Sequence, residues 1–401
     1  MTQNLSPARW QIPLVLGATV FVHYLDRNAL ALALPKIAQD FGWTDRQIGA
    51  NGDVLLAAFF VTYGLAQIFL SPLAERFGPK RSLLLAVAGF SLFTILVWPL
   101  GFSLLALLIL RLLLGLGESV HMPMNSAIVS RWFPVSERAR ANSIYVAGVL
   151  LAIGFAPLLV VPMMHAVGWR ESFAVLGFVG LAVCLPLVWR FVQDTPPTGR
   201  AVSPAFLDVQ TSYVRDWRFW LYTLAGTFNA FCIFGILNWL PSYFNRARGI
   251  NFEDLGWPLF VVFASGISGV LLWAYVGDRL GRRNLLASLG FFVAAGCVWL
   301  TSSTPSLSLV VLLFALGVLA QSAYNAQEFA TVQRLLSPEK VGAGTGLYNG
   351  LTVLFGGVGG SLVPGSIVAA TGSFHAGILS VVVGAIVAGI LMFWVHRVVR
   401  Y

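Results

Sequence analysis

PLAERFGPKR at 72–81 and YVGDRLGRRN at 275–284 decide how this chain is built. Each carries an acid, an arginine, a glycine and closing basic residues. The pairs Glu75/Asp278, Arg76/Arg279, Gly78/Gly281 and Lys80/Arg283 all lie 203 positions apart. A polar stretch repeated at a fixed distance in a chain of 401 residues points to an internal duplication. Each copy follows an apolar run long enough to cross a bilayer, so what is duplicated is a set of membrane helices.

Composition agrees with that reading. Hydrophobic residues make up 58% of the chain and charged residues 10%, with a mean hydropathy of +0.81, too apolar for an ordinary water-exposed surface. A template of about 20 apolar residues per span gives twelve candidates, at 12–34, 48–71, 82–101, 103–130, 141–165, 170–192, 217–244, 254–277, 284–303, 306–332, 341–369 and 374–396. The runs are continuous and lack the ten-residue alternation of an outer-membrane barrel, so they are expected to be helices. The N-terminal residues MTQNLSPARWQ carry one basic residue and no small-residue cleavage site follows, so the first apolar run is expected to be a retained span.

The basic residues orient the spans. Of 25 lysines and arginines, 18 fall at the termini and in the loops sharing their side, 5 in the opposite loops, and Arg27 and Arg111 within spans. The excess places both termini in the cytoplasm. Short loops with no long outer loop suggest the inner membrane of a bacterium. The net charge of +9 therefore reports topology and not nucleic-acid binding, because it is divided among short clusters and forms no stripe.

Two six-helix halves are expected, at 1–193 and 217–401, joined by the polar, Pro-rich cytoplasmic linker 194–216. The repeated loops, with Glu75, Arg76, Asp278 and Arg279, are read as latches that hold helix ends together and part during a conformational cycle. Cys184, Cys232 and Cys297 lie in apolar runs without metal or disulfide spacing, so packing is their role. Gly342, Gly346 and Gly350 suit close helix packing, since neither a preceding strand nor a following Lys-Ser/Thr makes them a phosphate loop. No catalytic constellation, metal cluster or cofactor fingerprint is present in the sequence, so the chain is expected to be neither an enzyme nor a cofactor protein.

Chemistry concentrates in four intramembrane charges that sum to zero: Asp26 and Arg27 in span 1, Arg111 and Glu118 in span 4. Such groups cost several kcal/mol each at the bilayer centre and mark function. Counting residues from the span midpoints puts Glu118 near the midplane, Arg27 about 6 Å and Arg111 about 9 Å towards the outside. Asp26 and Arg111 then meet at similar depth, and Glu118 has no evident fixed partner. Arg111, Glu118 and Asn125 share a helical face, with His121 one turn beyond Glu118 as a candidate proton relay. Arg27, flanked by His23 and Tyr24, is expected to take a substrate carboxylate through its planar fork. Adding an anion leaves a dry cavity negative, and a proton on Glu118, or on Asp26, restores neutrality.

Across its length the chain resembles the major facilitator superfamily. YLDR at 24–27, FFVTYGLAQ at 59–67, GLGES at 115–119 with MP at 122–123, RWFP at 131–134, GW at 168–169 and GTGLYNG at 344–350 resemble more narrowly its anion:cation symporter branch. The resemblance implies a substrate-binding arginine at Arg27, an aspartate and glutamate sharing proton coupling at Asp26 and Glu118, and an aromatic-amide pair at Tyr63 and Gln67. It implies proton-driven symport of a sugar acid such as a hexuronate or hexonate, or of an aromatic or simple monocarboxylate, by a monomer without cofactor. Further candidate ligands are Tyr145, Asn238, Tyr324, Asn325 and Asn349, with Asn229, Gln321 and Tyr348 nearby. Glu328 lies near the cytoplasmic end as a gating candidate. Span 5 offers Tyr145 and Gly148 but little amide, which suits a substrate less hydroxylated than a hexonate. A drug/proton antiporter is the alternative, although GVLLAIGFAP at 148–157 lacks the Gly-Pro and paired glycines of those relatives.

Overall fold

The computed structural model describes residues 7–133, 135–195, 213–336 and 341–399. Every regular element among them is helical. In chain order the α-helices are α1 (Gln11–Asp40), α2 (Asp45–Phe77), α3 (Pro79–Ile95), α4 (Val97–Leu100), α5 (Leu104–Glu118), α6 (His121–Trp132), α7 (Val135–Val167), α8 (Trp169–Val179) and α9 (Leu185–Phe191). They continue as α10 (Trp217–Ser242), α11 (Gly256–Leu280), α12 (Arg283–Thr301), α13 (Leu307–Asn325), α14 (Glu328–Arg334), α15 (Val341–Leu351), α16 (Val358–Thr371) and α17 (Phe374–Val398). A helix satisfies its own backbone donors and acceptors, which hydrocarbon cannot do.

Eleven helical stretches among the described residues are long and apolar enough to cross a membrane. The first expected span is not among them. α1, at 30 residues, has the length, but His23, Tyr24, Asp26, Arg27 and Asn28 fall at its centre and lower its hydropathy.

Two expected spans are interrupted. Span 4 is α5 followed by α6, parted at Ser119 and Val120, where the Ser119 hydroxyl and backbone N–H both bond the carbonyl of Leu116, the hydroxyl at 2.8 Å. A side chain that competes for a helix carbonyl bends or breaks the ladder. Span 10 is α13 followed by α14, parted at Ala326 and Gln327. Both open on a serine cap, Ser103 accepting from Ala106 N at 3.2 Å and Ser306 from Leu309 N at 3.5 Å. The two caps lie 203 residues apart, so the repeat seen in the loops extends into these spans.

The chain divides into two compact units. The first contains Met1–Arg27, Thr62–Ile153 and Arg170–Ala205. Here α3 packs on α5, α6 and α9, and α1 crosses α7 at two glycines, where a Cβ on Gly148 would stand 2.5 Å from the Gly17 carbonyl oxygen. Its polar end is stitched across loops. Asp194 accepts the Lys80 backbone N–H at 2.7 Å, the Lys80 ammonium reaches Trp189 O at 2.8 Å, and the Trp132 indole donates to Gln193 O at 2.7 Å. Gly78 sits at φ 113° beneath the Asp194 carboxylate, a backbone conformation that favours glycine.

The second unit contains Asn28–Val61, Gly154–Trp169 and Phe206–Tyr401. α12 lies against α13 and α17, α11 against α13, and α10 against α16 and α17. Asp216 caps α10, and its hydrogen bonds from the Arg218 guanidinium and backbone hold its carboxyl below the usual carboxylate range. The segment from α2 joins this unit through Gly49, where a Cβ would meet Gly365 and Ala369 backbone. It is also held by Ser366, which donates to Asp53 at 3.2 Å, and by an Asp45–Arg246 ion pair at 2.7 Å. Residues 196–212 of the expected linker lie outside the described residues, as does the Asp278 side chain.

Candidate functional site

The buried charges gather in the first unit. Arg27, on α1, contacts two phenol rings, its guanidinium carbon 4.5 Å from the Tyr24 centroid and 4.4 Å from that of Tyr63 on α2. Two of its nitrogens, Nε and Nη2, donate to one oxygen, Oε2 of Glu118, at 3.4 and 3.3 Å. The same oxygen is 2.6 Å from His23 Nε2. The other oxygen of Glu118 has no hydrogen-bond partner among the described residues.

The expectation that Glu118 lacks a fixed partner is therefore corrected: it has two, Arg27 and His23. Depth counted along the helix axis missed them because an arginine side chain reaches several ångströms from its Cα and can run along the axis to find a polar site. His23 was expected beside the guanidinium and instead bonds the acid. Sequence spacing shows that a histidine lies near the centre of the span, not which of its neighbours it faces.

Asp26 accepts the Thr94 hydroxyl from α3, a partner that sequence reading missed. A lone threonine in an apolar span gives no signal, because most such hydroxyls return to their own helix, as that of Thr94 also does at Phe90 O, 2.8 Å. Arg111 is buried two turns before Glu118 on the same face of α5, and the charges of Asp26 and Glu118 both act on it. His121 opens α6, its ring centroid 4.8 Å from that of His23, with its Nδ1 3.4 Å from Asn125 Nδ2. Tyr145 is buried on α7. Gln67 lies one turn beyond Tyr63, its Oε1 buried and without a partner among the described residues. Glu75 pairs with Arg131 at 3.6 Å, joining the end of α2 to the end of α6, and Arg76 follows it on α2.

The second unit holds amides and phenols. Asn229 donates to Asn325 Oδ1 at 2.9 Å, and Gln321 donates to Asn229 Oδ1 at 3.1 Å. Asn238 donates to Ser361 Oγ at 2.9 Å, so this amide ties α10 to α16. The hydroxyls of Tyr324 and Tyr348 are 2.6 Å apart, and Tyr348 donates to Glu328 Oε1 at 2.8 Å. Tyr222, absent from the sequence candidates, stacks on both rings. Asn349 is half-buried on α15, and the Arg279 guanidinium lies over Tyr275 at 4.5 Å. No group of histidines, cysteines and acids able to hold a metal occurs among the described residues.

A polytopic helical chain with a self-neutralising buried charge cluster is built as a carrier. The chain belongs to the Major Facilitator Superfamily, whose family model matches residues 16–361 and 248–400. It is a transporter and not an enzyme. Among curated proteins it is 30% identical over 299 residues to a probable sulfoacetate transporter, SauU, of Cupriavidus necator, covering 70% of this chain and 68% of that one. It is 26% identical over 392 residues to a D-galactonate transporter of Escherichia coli, covering 89% and 87%. Among solved structures, a bacterial homologue of the human lysosomal transporter Spinster shares the fold, with a TM-score of 0.84 at 19% identity over 98% of both chains.

Proposed function

We propose that this chain carries a small organic anion across the bacterial inner membrane together with a proton, by alternating access. The observation that carries the reading is the convergence of Arg27 and His23 on one oxygen of Glu118. The guanidinium that should receive the substrate is occupied by the acid that should receive the proton. A proton on Glu118 removes the charge that holds Arg27, whose fork then turns to the incoming carboxylate or sulfonate. Departure of the anion returns Arg27 to ionised Glu118. Neither ligand leaves a buried charge uncompensated, so the loaded and empty carriers both stay near neutrality, which a closing low-dielectric barrier demands.

The Tyr24 and Tyr63 rings, each within 4.5 Å of the guanidinium carbon, hold it in place for the anion. Asp26, Arg111 and His121 complete the proton-coupling group, with His23 added to it by its contact with Glu118. Gln67, Tyr145, Asn238, Tyr324, Asn325 and Asn349 remain the candidate ligands for the rest of the substrate. Asn238, held by Ser361, is available only if that bond is exchanged. Relatives named for sulfoacetate and D-galactonate support an acidic substrate, and sulfoacetate fits the expectation of few hydroxyls. The chain is read as a monomer of two six-helix halves with cytoplasmic termini, powered by the proton gradient without a cofactor. The Glu75–Arg131 pair and its counterpart around Asp278 and Arg279 act as cytoplasmic latches, with Glu328 near the same end.

Uptake into proteoliposomes tests this directly. With an inward proton gradient and labelled sulfoacetate, D-galactonate, glucuronate or 4-hydroxybenzoate, the wild type should accumulate at least one of them and Arg27→Ala none. Accumulation of none by the wild type, or undiminished accumulation by Arg27→Ala, would overturn the reading. Proton-driven efflux of hydrophobic cations instead would favour the antiporter.

A further inference from the structure

Glu328, in the second unit, is held by phenols. Its carboxylate accepts the Tyr348 hydroxyl at 2.8 Å, and Tyr348 in turn lies 2.6 Å from the Tyr324 hydroxyl. Since the Tyr348 proton is committed to Glu328, Tyr324 is the donor in that second bond. Tyr222 stacks against both rings at 5.6 and 5.7 Å, and its hydroxyl donates to the Glu328 carbonyl oxygen at 3.2 Å. All three phenols are fully buried. Among the described residues, the titratable groups that face Glu328 are Tyr222 from α10, Tyr324 from α13 and Tyr348 from α15. Glu118 and Glu75 have cationic partners, whereas no ion pair of Glu328 is formed among the described residues.

The repeat places this acid in context. Moving 203 positions along the chain takes Glu118 to Gln321, His121 to Tyr324, Asn125 to Glu328 and Tyr145 to Tyr348. The acid and amide of span 4 thus recur in span 10 with their places exchanged, seven residues apart in each. A half-buried carboxylate held by phenols but unpaired with a cation is costly when ionised, and a proton is the smallest ligand that removes the cost.

We propose that Glu328 is a second proton-binding site, in the second unit, with Tyr348 and Tyr324 as its hydrogen-bonded chain. Binding converts the carboxylate to a carboxylic acid, taking its charge from −1 to 0 with no change at carbon. The acid hydrogen then donates to the Tyr348 oxygen, the Tyr348 hydrogen turns to Tyr324, and the direction of the chain reverses. This deepens the proton-coupled reading above and rests on it for its part in transport. The site itself needs no knowledge of the anion.

Infrared difference spectra of the purified full chain in lipid nanodiscs, recorded on stepping the pH from alkaline to acid, test it without substrate. The wild type should gain a carboxylic C=O band and lose a matching carboxylate band that are both absent in Glu328→Gln, an isosteric change. Tyr348→Phe should keep the band and move it to higher wavenumber, since the acid loses a hydrogen bond. Superimposable spectra of wild type and Glu328→Gln would overturn the proposal. Glu118→Gln should remove a different band, so failure at Glu118 and failure at Glu328 are read separately.

Discussion

Arg27 shows how little of a buried ion pair is contained in the positions of its charges. That a charge in the middle of a span has a function was legible in HYLDR, because hydrocarbon leaves no other account of it. Which acid it meets was not, since the choice depends on side-chain reach and on helix rotation. The pair leads to two expectations. Arg27→Lys should not restore uptake, because an ammonium on a flexible stem cannot donate two parallel bonds or stack as a plane on the Tyr24 and Tyr63 rings; uptake assays of Arg27→Lys beside Arg27→Ala check this. Glu118→Gln should abolish proton-driven accumulation, while exchange of labelled for unlabelled anion continues. Accumulation that still follows the pH gradient in Glu118→Gln would remove Glu118 from the coupling.

Helices carry the next lesson. Hydropathy located the spans but passed over the interruptions at Ser119–Val120 and Ala326–Gln327, because a span-length window averages the polar residues at each break, Glu118 and His121 in one and Asn325 and Glu328 in the other, with the apolar runs beside them. The signal available was Ser119, which takes the Leu116 carbonyl from the ladder. Helix α1 is the opposite case, a helix whose polar centre conceals it from a hydropathy criterion. The α1–α7 crossing rests on Gly17 and Gly148, and a side chain at the second meets backbone rather than a flexible neighbour. Gly148→Leu should therefore lower stability by about 1–3 kcal/mol, the usual cost of overpacking, seen as a lower melting temperature. Gly296→Ala, where a Cβ meets nothing within 4 Å, should leave that temperature nearly unchanged.

Over the whole molecule, the compact units do not coincide with sequence halves. The segments Asn28–Val61 and Gly154–Trp169, from α1, α2, α7 and α8, belong with the C-terminal helices. Duplication was legible in two decapeptides, but contact grouping depends on which ends of the spans pack together, and hydropathy carries no information on that. The seam between α2 and α16 within the second unit should part during a transport cycle. In a chain whose three cysteines are replaced by alanine, Asp53→Cys with Ser366→Cys should lose uptake on oxidation and regain it on reduction. Uptake unaffected by a formed crosslink would show that this seam stays shut throughout.

The displacement of 203 residues that carries Asp26 to Asn229 and Glu118 to Gln321 exchanges an oxygen for an amino group at each position. The two side chains of each pair have nearly the same volume, so selection can move electrical character between the copies without repacking either. A carrier of this design can acquire or lose a titrating group by one codon change, and the placement of its charges can drift faster than its shape.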